Sequence, residues 1–270
     1  MKVFRQLALM AVLALSFVSY SFAGSIVMRG STTVLPVAQP TAERFMDKNP
    51  GVSISVQGGG SGVGCAAIVD GTADIGNSSR PIRDREIQQA LERGGRPVPH
   101  VVAMDGIAVI VHNSNPVDNL TKDQVKAIYT GKISCWSEVG GRRGQIVVIS
   151  RDVASGTFEA FNNLALNKER VRPDAQLTAS NNASKTNVSN TPGGIGYVGL
   201  GYVDSSVKAI TIDGITCTKE TVLSGDYPYS RPLYMYTNGQ PTGVVKEYID
   251  FVLSKEGQKI VEAQGFVGLH

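Results

Sequence analysis

The run VPHVVAMDGIAVIVH, Val98 to His112, constrains this chain more than any other stretch. It is apolar almost throughout and far longer than the five or six residues of an ordinary strand. Two readings fit it: one long buried strand, or a strand that leaves one lobe and enters another. A second apolar run, RPLYMYT (Arg231 to Thr237), is placed to return the chain to the first lobe. Around these runs, strand-like and helix-like patterns alternate. SIVMRG reads as a strand and VAQPTAERFMDKN as a helix; VSISV is a strand and VGCAAIVDG a short helix. ADIGNSS is a strand, and DREIQQALERGG is a helix stopped by Gly94 and Gly95. This βαβα order predicts an α/β fold with a mainly parallel sheet.

Beyond Val98–His112, LTKDQVKAIYTGK predicts a helix capped by Thr121, QIVVIS a strand, SGTFEAFNNLAL a helix and GGIGYVG a strand. GVVKEYIDFVLSKEGQKIVEAQG carries apolar residues at helical spacing and predicts one long terminal helix. The division that follows is a leader over 1–23, a first lobe of 24–104 plus 232–270, and a second lobe of 105–231. The leader has a basic start (Lys2, Arg5), an apolar stretch Leu7 to Val18 and small residues at Ser21 and Ala23. That is the pattern of a secretory signal peptide cleaved after Ala23.

Charge excludes some partners. Without Lys2 and Arg5 the formal charge falls from +3 to +1. So neutral a chain has no general attraction to nucleic acid or to a membrane surface, and any anion must be held locally. Three cysteines, Cys65, Cys135 and Cys217, show no metal-binding spacing, and the histidines His100, His112 and His270 are scattered. No metal site and no cofactor are expected. In an oxidising compartment one disulfide is expected. Cys135 and Cys217 both fall between the two crossing runs and are the predicted pair, with Cys65 buried and reduced.

Three loops carry the chemistry. They are RGSTTVLP (Arg29 to Pro36), QGGGSGVG (Gln57 to Gly64) and SRDVASGTFEAF (Ser150 to Phe161). Each joins a strand to a helix and supplies glycines or small hydroxyl residues. The start of a helix leaves N–H groups unpaired and carries partial positive charge, so it suits an anion. Any one such loop is explained by ordinary capping. Three together, with Arg151 in one of them to supply a forked, charged donor, point to an anion site. Nucleotide readings fail. No window around the glycine loop fits GxGxxG, and Gly131-Lys132 is followed by Ile133 where a phosphate-binding P-loop needs Ser or Thr. Nor is the glycine loop a GxSxG elbow, since Val63 stands at its last position.

The segments GSTTVLP, VQGGGSGVG, DIGNSSRPI, RDVASGTFEAF, PGGIGYVGLGYV and YPYSRPLYMYTNG, in this order over most of residues 24–270, closely resemble the periplasmic phosphate-binding proteins of phosphate ABC importers. The most specific element is the Arg-x-x-x-Ser-Gly-Thr arrangement of Arg151 and Ser155 to Thr157. The resemblance implies a two-lobe periplasmic-binding-protein fold of type II, hinged on two crossing strands and closing over one inorganic phosphate. It implies a monomer, exported to the periplasm and delivering phosphate to membrane permease subunits without enzymatic chemistry. By position it implies that Thr32 gives a hydroxyl and Thr33 a backbone N–H, with Ser31 adjacent, and that Ser61 gives the hydroxyl of the glycine loop. It implies a second-lobe clamp of Arg151, Ser155, Gly156 and Thr157. The glycines of residues 58–64 would let the anion rest against backbone N–H groups. Arg231 is expected to matter less to the anion than Arg151.

One departure stands out. Where well-known members carry an aspartate that accepts the phosphate proton, this chain has Ser79, which donates or accepts. Asp152 is the candidate substitute acceptor. Other tetrahedral oxyanions such as sulfate or molybdate are the alternative ligands. A phosphate-ester hydrolase, and a surface or signalling protein with a vestigial site, are the alternative functions.

Overall fold

The structure, a computed structural model, describes residues 24–269. The leader expected over 1–23 and its cleavage point therefore lie outside the described residues. The first elements are β1 (Gly24–Gly30), α1 (Leu35–Lys48), β2 (Val52–Gln57), α2 (Ser61–Val69), β3 (Ile75–Ser78) and α3 (Asp84–Glu92). Next come β4 (Pro97–Val111), β5 (Asn119–Leu120), α4 (Lys122–Tyr129), β6 (Val147–Arg151), α5 (Gly156–Leu164), β7 (Gln176–Thr178) and α6 (Asn181–Ser189). The chain ends with β8 (Gly194–Gly199), β9 (Lys208–Ala209), β10 (Thr211–Ile212), α7 (Lys219–Ser224), β11 (Ser230–Asn238), α8 (Gly243–Leu253) and α9 (Lys255–Ala263).

A nine-stranded sheet runs β2-β1-β3-β11-β4-β8-β6-β7, with β9 added on β4. Its outer units are parallel, as the alternation predicts: β1 with β2 and β3, and β6 with β7 and β8. Its middle is antiparallel, because β4 and β11 run against each other and against their outer neighbours β8 and β3. The sheet is thus mixed rather than mainly parallel. The physical reason is that the two long strands carry the chain out and back.

Two separate hydrophobic cores form along this sheet. One gathers Ile26, Met28, Phe45, Ile75, Leu233, Met235 and Tyr248. The other gathers Val125, Tyr129, Ile149, Phe161, Tyr197 and Tyr227. β4 serves both: Val102 and Ala103 enter the first core, and Ile107 to Val111 enter the second. Its first residues, Pro97 to Val101, are partly exposed and Asp105 to Val111 are continuously buried, which explains why the run looks too apolar for one ordinary strand. β11 pairs with β4 over Pro97–Gly106, with a bulge at Leu233/Tyr234 that adds local twist.

Local chemistry explains most element ends. Thr121 caps α4 by accepting from Gln124 N (3.1 Å), and the Gln124 side chain accepts from Thr121 N (2.9 Å). The predicted long terminal helix is two helices. Ser254 adopts an extended conformation (φ −71°, ψ 163°) and its hydroxyl accepts from Gly257 N at 3.2 Å, starting α9 anew. A Cβ on Gly257 would lie 2.2 Å from the Phe251 carbonyl, so the sharp bend needs glycine there.

The cysteine expectation is corrected. Cys65, Cys135 and Cys217 are all free thiols. Cys135 lies on the surface beside the Ser137 hydroxyl (3.1 Å), whereas Cys217 is buried against β4, its sulfur 2.5 Å from where a Cβ on Gly106 would be. Their thiols are committed to different surroundings, so sharing a lobe does not make them a pair. Among the described residues no helix is long and apolar enough to cross a membrane.

Candidate functional site

The loops after β1, β2 and β6 meet between the two cores, joined by the end of β3 and the start of α6. Ser31, Thr32, Thr33, Ser61, Ser79, Arg151, Ser155, Gly156 and Thr157 are all buried there. So many buried polar groups must bond to one another or to something held among them. Contacts link elements of both cores. The Thr33 and Thr157 hydroxyls lie 2.9 Å apart, Arg151 Nη2 donates to Thr32 Oγ1 (3.3 Å), and Gly62 N donates to the Ala154 carbonyl (2.9 Å).

Arg151 is 1% exposed. Its Nε donates to the Thr178 carbonyl and its Nη2 to the Ala179 carbonyl, both at 3.1 Å, and its own N–H donates to the Tyr197 hydroxyl (3.2 Å). These bonds fix the plane of the guanidinium. Its Nη1 is buried with no hydrogen-bond partner. Burial pushes the Arg151 guanidinium below its ordinary value, with Arg231 adding like-charge repulsion. A buried cationic nitrogen without an acceptor is costly unless an anion meets it.

The hydroxyls bond one another and the surrounding N–H groups. Thr32 Oγ1 accepts from Arg151 and from Asn181 Nδ2 (3.2 Å). Thr33 Oγ1 accepts from Asn181 Nδ2 (2.9 Å) and lies 3.4 Å from Arg231 Nη2. With its lone pairs occupied, the Thr32 hydroxyl has its proton left to give. Ser61 Oγ accepts from Ser79 N (2.9 Å) and lies 3.2 Å from Ser79 Oγ. Ser155 Oγ accepts from Phe158 N (3.1 Å) and so caps α5. Gly156 has no alternative: a Cβ there would lie 2.2 Å from Ser61 Oγ and 2.8 Å from Ser79 Oγ.

Three expectations change in detail. The Thr33 N–H is spent on Ser31 Oγ (3.1 Å), within the turn that leads into α1. Asp152 Oδ1 accepts from Ala154 N (2.9 Å), so that carboxylate shapes the turn after Arg151. The glycines make room for protein backbone. Cβ atoms on Gly60 and Gly64 would lie 2.7 Å from the Ala154 carbonyl and 2.4 Å from the Asn77 carbonyl, and Gly60 has φ +94°. The glycine loop thus lets α2 press on β1 and β3 and lets one core's loop touch the other's.

Sequence reasoning missed two participants and underweighted a third. Asn181 bonds both threonine hydroxyls, and its Oδ1 accepts from Gly199 N at 3.1 Å. Its signal was LTASNNAS, a fourth strand-to-helix loop with small polar residues, capped by Ser180. Arg231, expected to matter less, lies inside the cluster. It bonds Asp105 Oδ2 through Nε (3.0 Å) and Nη2 (2.8 Å), Thr157 Oγ1 through Nη2 (3.0 Å) and the Ser79 carbonyl through Nη1 (3.1 Å). Asp105, fully buried, also accepts from Leu200 N at 2.9 Å. Burial raises its carboxyl above the ordinary value against the pull of Arg231.

An ionic cluster borders the site. Arg80, 2% exposed, makes paired bonds to Glu86 (2.7 and 2.8 Å) and reaches Glu159 through Nε at 3.0 Å. Arg83 also binds Glu159. Glu159 sits on α5 and its partners on the β3–α3 side, so the cluster ties the two cores together. Burial opposes the charge on Glu86, but the bonds from Arg80 and Arg83 outweigh it and hold the carboxyl below its ordinary value.

Residues 21–256 match the PBP superfamily domain. The chain is 37% identical over 247 residues to the phosphate-binding protein PstS of Bacillus subtilis, covering 90% of this chain and 80% of that protein. It is 31% identical to the PstS of Pseudomonas aeruginosa, covering 91% and 83%. A phosphate-bound ABC transporter substrate-binding protein from Clostridium perfringens superposes with a TM-score of 0.85 at 37% identity, over 91% of this chain and 100% of that one.

Proposed function

The chain belongs to the PBP superfamily, in its family of Pst-type phosphate-binding proteins, and we propose that the cluster between its two cores is where it holds inorganic phosphate. It has the two-lobe periplasmic-binding-protein fold, and it captures phosphate for delivery to an ABC importer. We assign the lobes to 24–104 plus 232–270 and to 105–231, following the two cores apart from Val267, which packs in the second. Thr32, Thr33, Ser61, Ser79, Arg151, Ser155, Gly156 and Thr157 surround the anion, with Ser31 and Asp152 holding two of the loops in shape.

The observation that carries this reading is Arg151 Nη1, a buried, charged donor with no partner, beside the Thr32 hydroxyl, whose proton is left to donate. A tetrahedral oxyanion supplies the acceptors that this set lacks. Because its donors come from both lobes, the anion bridges them and favours the closed arrangement. The protein performs no chemistry on phosphate in this account. It works as a monomer in the periplasm after loss of residues 1–23, and permease subunits of the importer receive its cargo.

The test is calorimetric titration of the mature protein, stripped of bound anion, with phosphate, sulfate and molybdate in turn. One phosphate per chain is expected, bound more tightly than the other two, with no phosphate released from an ester substrate. Silence with phosphate, or turnover of the ester, refutes the reading.

A further inference from the structure

We propose that Arg231 is a second guanidinium contacting the bound anion, and that Asp105 sets both its pose and the net charge the site offers. This rests on the reading of the cluster as an anion site and names a specificity-determining pair within it. The two residues face each other across the ladder of the crossing strands, Arg231 on β11 opposite Asp105 on β4. They sit where β4 passes from Ala103 in one core to Ile107 in the other, at the floor of the space between the lobes.

A guanidinium has five N–H donors. Arg231 gives two to Asp105 Oδ2, one to Thr157 Oγ1 and one to the Ser79 carbonyl. The second Nη1 hydrogen has no acceptor among the described hydrogen bonds, and Arg231 is 5% exposed. The groups Arg231 touches are those assigned to the anion on independent grounds: Thr33 and Ser79 from one lobe, Thr157 from the other. Thr33 and Thr157 Oγ1 both lie against Arg231 Nη2, and a single proton joins the two oxygens, so one O–H of the pair is left to point outward.

Charge gives the pair its function. The cluster holds two buried guanidiniums, Arg151 and Arg231, close enough to repel. Asp105 is the fully buried carboxylate bonded within it; Asp152, half-buried next to Arg151, acts on that guanidinium from the rim, and Arg80 is spent on Glu86 and Glu159. The buried side chains at the anion therefore carry one net positive charge, where the two guanidiniums alone would carry two. A single net charge balances a monoanion and leaves a dianion overcharged by one in a buried setting, where such differences weigh most. Asp105 thereby disfavours obligate dianions such as sulfate, a task that Ser79 performs poorly for want of a charge.

The experiment removes both charges together, so that no unpaired ion is left buried. Arg231→Met/Asp105→Leu is compared with wild type by phosphate titration and by melting without anion. The expected result is a native-like melt with phosphate affinity lowered by at least ~30-fold, as for loss of a buried charged contact. Wild-type affinity in the folded double variant overturns the proposal, because the pair is then only structural. Should the double variant fail to fold, Arg231→Lys decides: it keeps a cation beside Asp105 but loses the fork, so ~10-fold weaker binding supports the proposal and unchanged affinity overturns it. Asp105→Asn gives a readout that packing alone would not move. Its sulfate-to-phosphate affinity ratio rises above that of wild type, and its phosphate affinity gains from pH 6 to pH 8 relative to wild type; an unchanged ratio and pH profile overturn the charge-setting role. If wild type itself ignores phosphate but binds sulfate or molybdate, the phosphate reading fails, and the pair is scored with the anion that binds.

Discussion

Arg151→Met tests the centre of the site while keeping much of the side-chain volume. In the unliganded protein the change has two opposed effects. It removes a cation whose Nη1 is buried without a partner, and it takes donors from the Thr178 and Ala179 carbonyls and the Thr32 hydroxyl. These offset, so the informative quantity is the rise in Tm that phosphate causes within each protein. For wild type at ~100 times its Kd, phosphate adds ~2.7 kcal/mol. That is a rise of ~5–11 °C at the sensitivity of a domain of this size. Loss of a desolvated charged contact costs ~2–5 kcal/mol of binding, or ~30- to 4,000-fold in Kd. At the same phosphate concentration the variant then gains less than ~1 kcal/mol, under ~4 °C. Scanning fluorimetry of the stripped proteins across a phosphate series measures this directly. A variant whose phosphate-dependent rise equals that of wild type would falsify the assignment of Arg151 as the anion's charged partner.

Gly156→Ala places a methyl 2.2 Å from Ser61 Oγ, across the meeting of the two lobes; overpacking of that kind costs ~1–3 kcal/mol, and it should appear as weaker phosphate binding with little change in the unliganded melt. Glu86, held below its ordinary value by Arg80 and Arg83, contributes stability that is present above its unfolded value of about 4.5 and is lost as pH falls through the lower folded value. Wild type should therefore lose stability below about pH 4.5 more steeply than Glu86→Gln, and parallel pH profiles of Tm would contradict the role given to that ion pair. All three cysteines should react with an alkylating reagent without reductant once the protein is unfolded, Cys135 alone reacting quickly in the native state; a linked Cys135–Cys217 peptide in mass mapping would reinstate the disulfide.

Much of this protein is legible in its sequence because the signals are local. Alternating strand and helix patterns, the glycine stops, the Thr121 cap and the long apolar run Val98–His112 depend on a few neighbouring residues each, so the order of the main elements follows from them, while the short β5, β7, β9 and β10 and the helices α6 and α7 were not read. The three hydroxyl-rich loops and Arg151 were visible for the same reason: a helix start that can hold an anion is written in consecutive residues. What stayed hidden depends on pairs far apart in the chain. Arg231 and Asp105 meet only because β11 lies antiparallel beside β4, and nothing near either residue announces the other. Asn181 reaches Thr32 and Thr33 only because the two lobes face each other. The glycine loop carried a clear signal for close approach, yet whether an anion or the Ala154 backbone approaches is decided by packing between lobes. The cysteines are the plainest case: their number and compartment suggested a bridge, and the position of each sulfur in the fold denied it. The sequence by itself determined the main strands, helices and anion-ready loops, though not the break at Ser254 between α8 and α9, since backbone propensity and capping act over a turn or two. Only the tertiary structure decided which charges face one another, because electrostatic and steric complementarity act through space between residues that the chain order leaves unrelated.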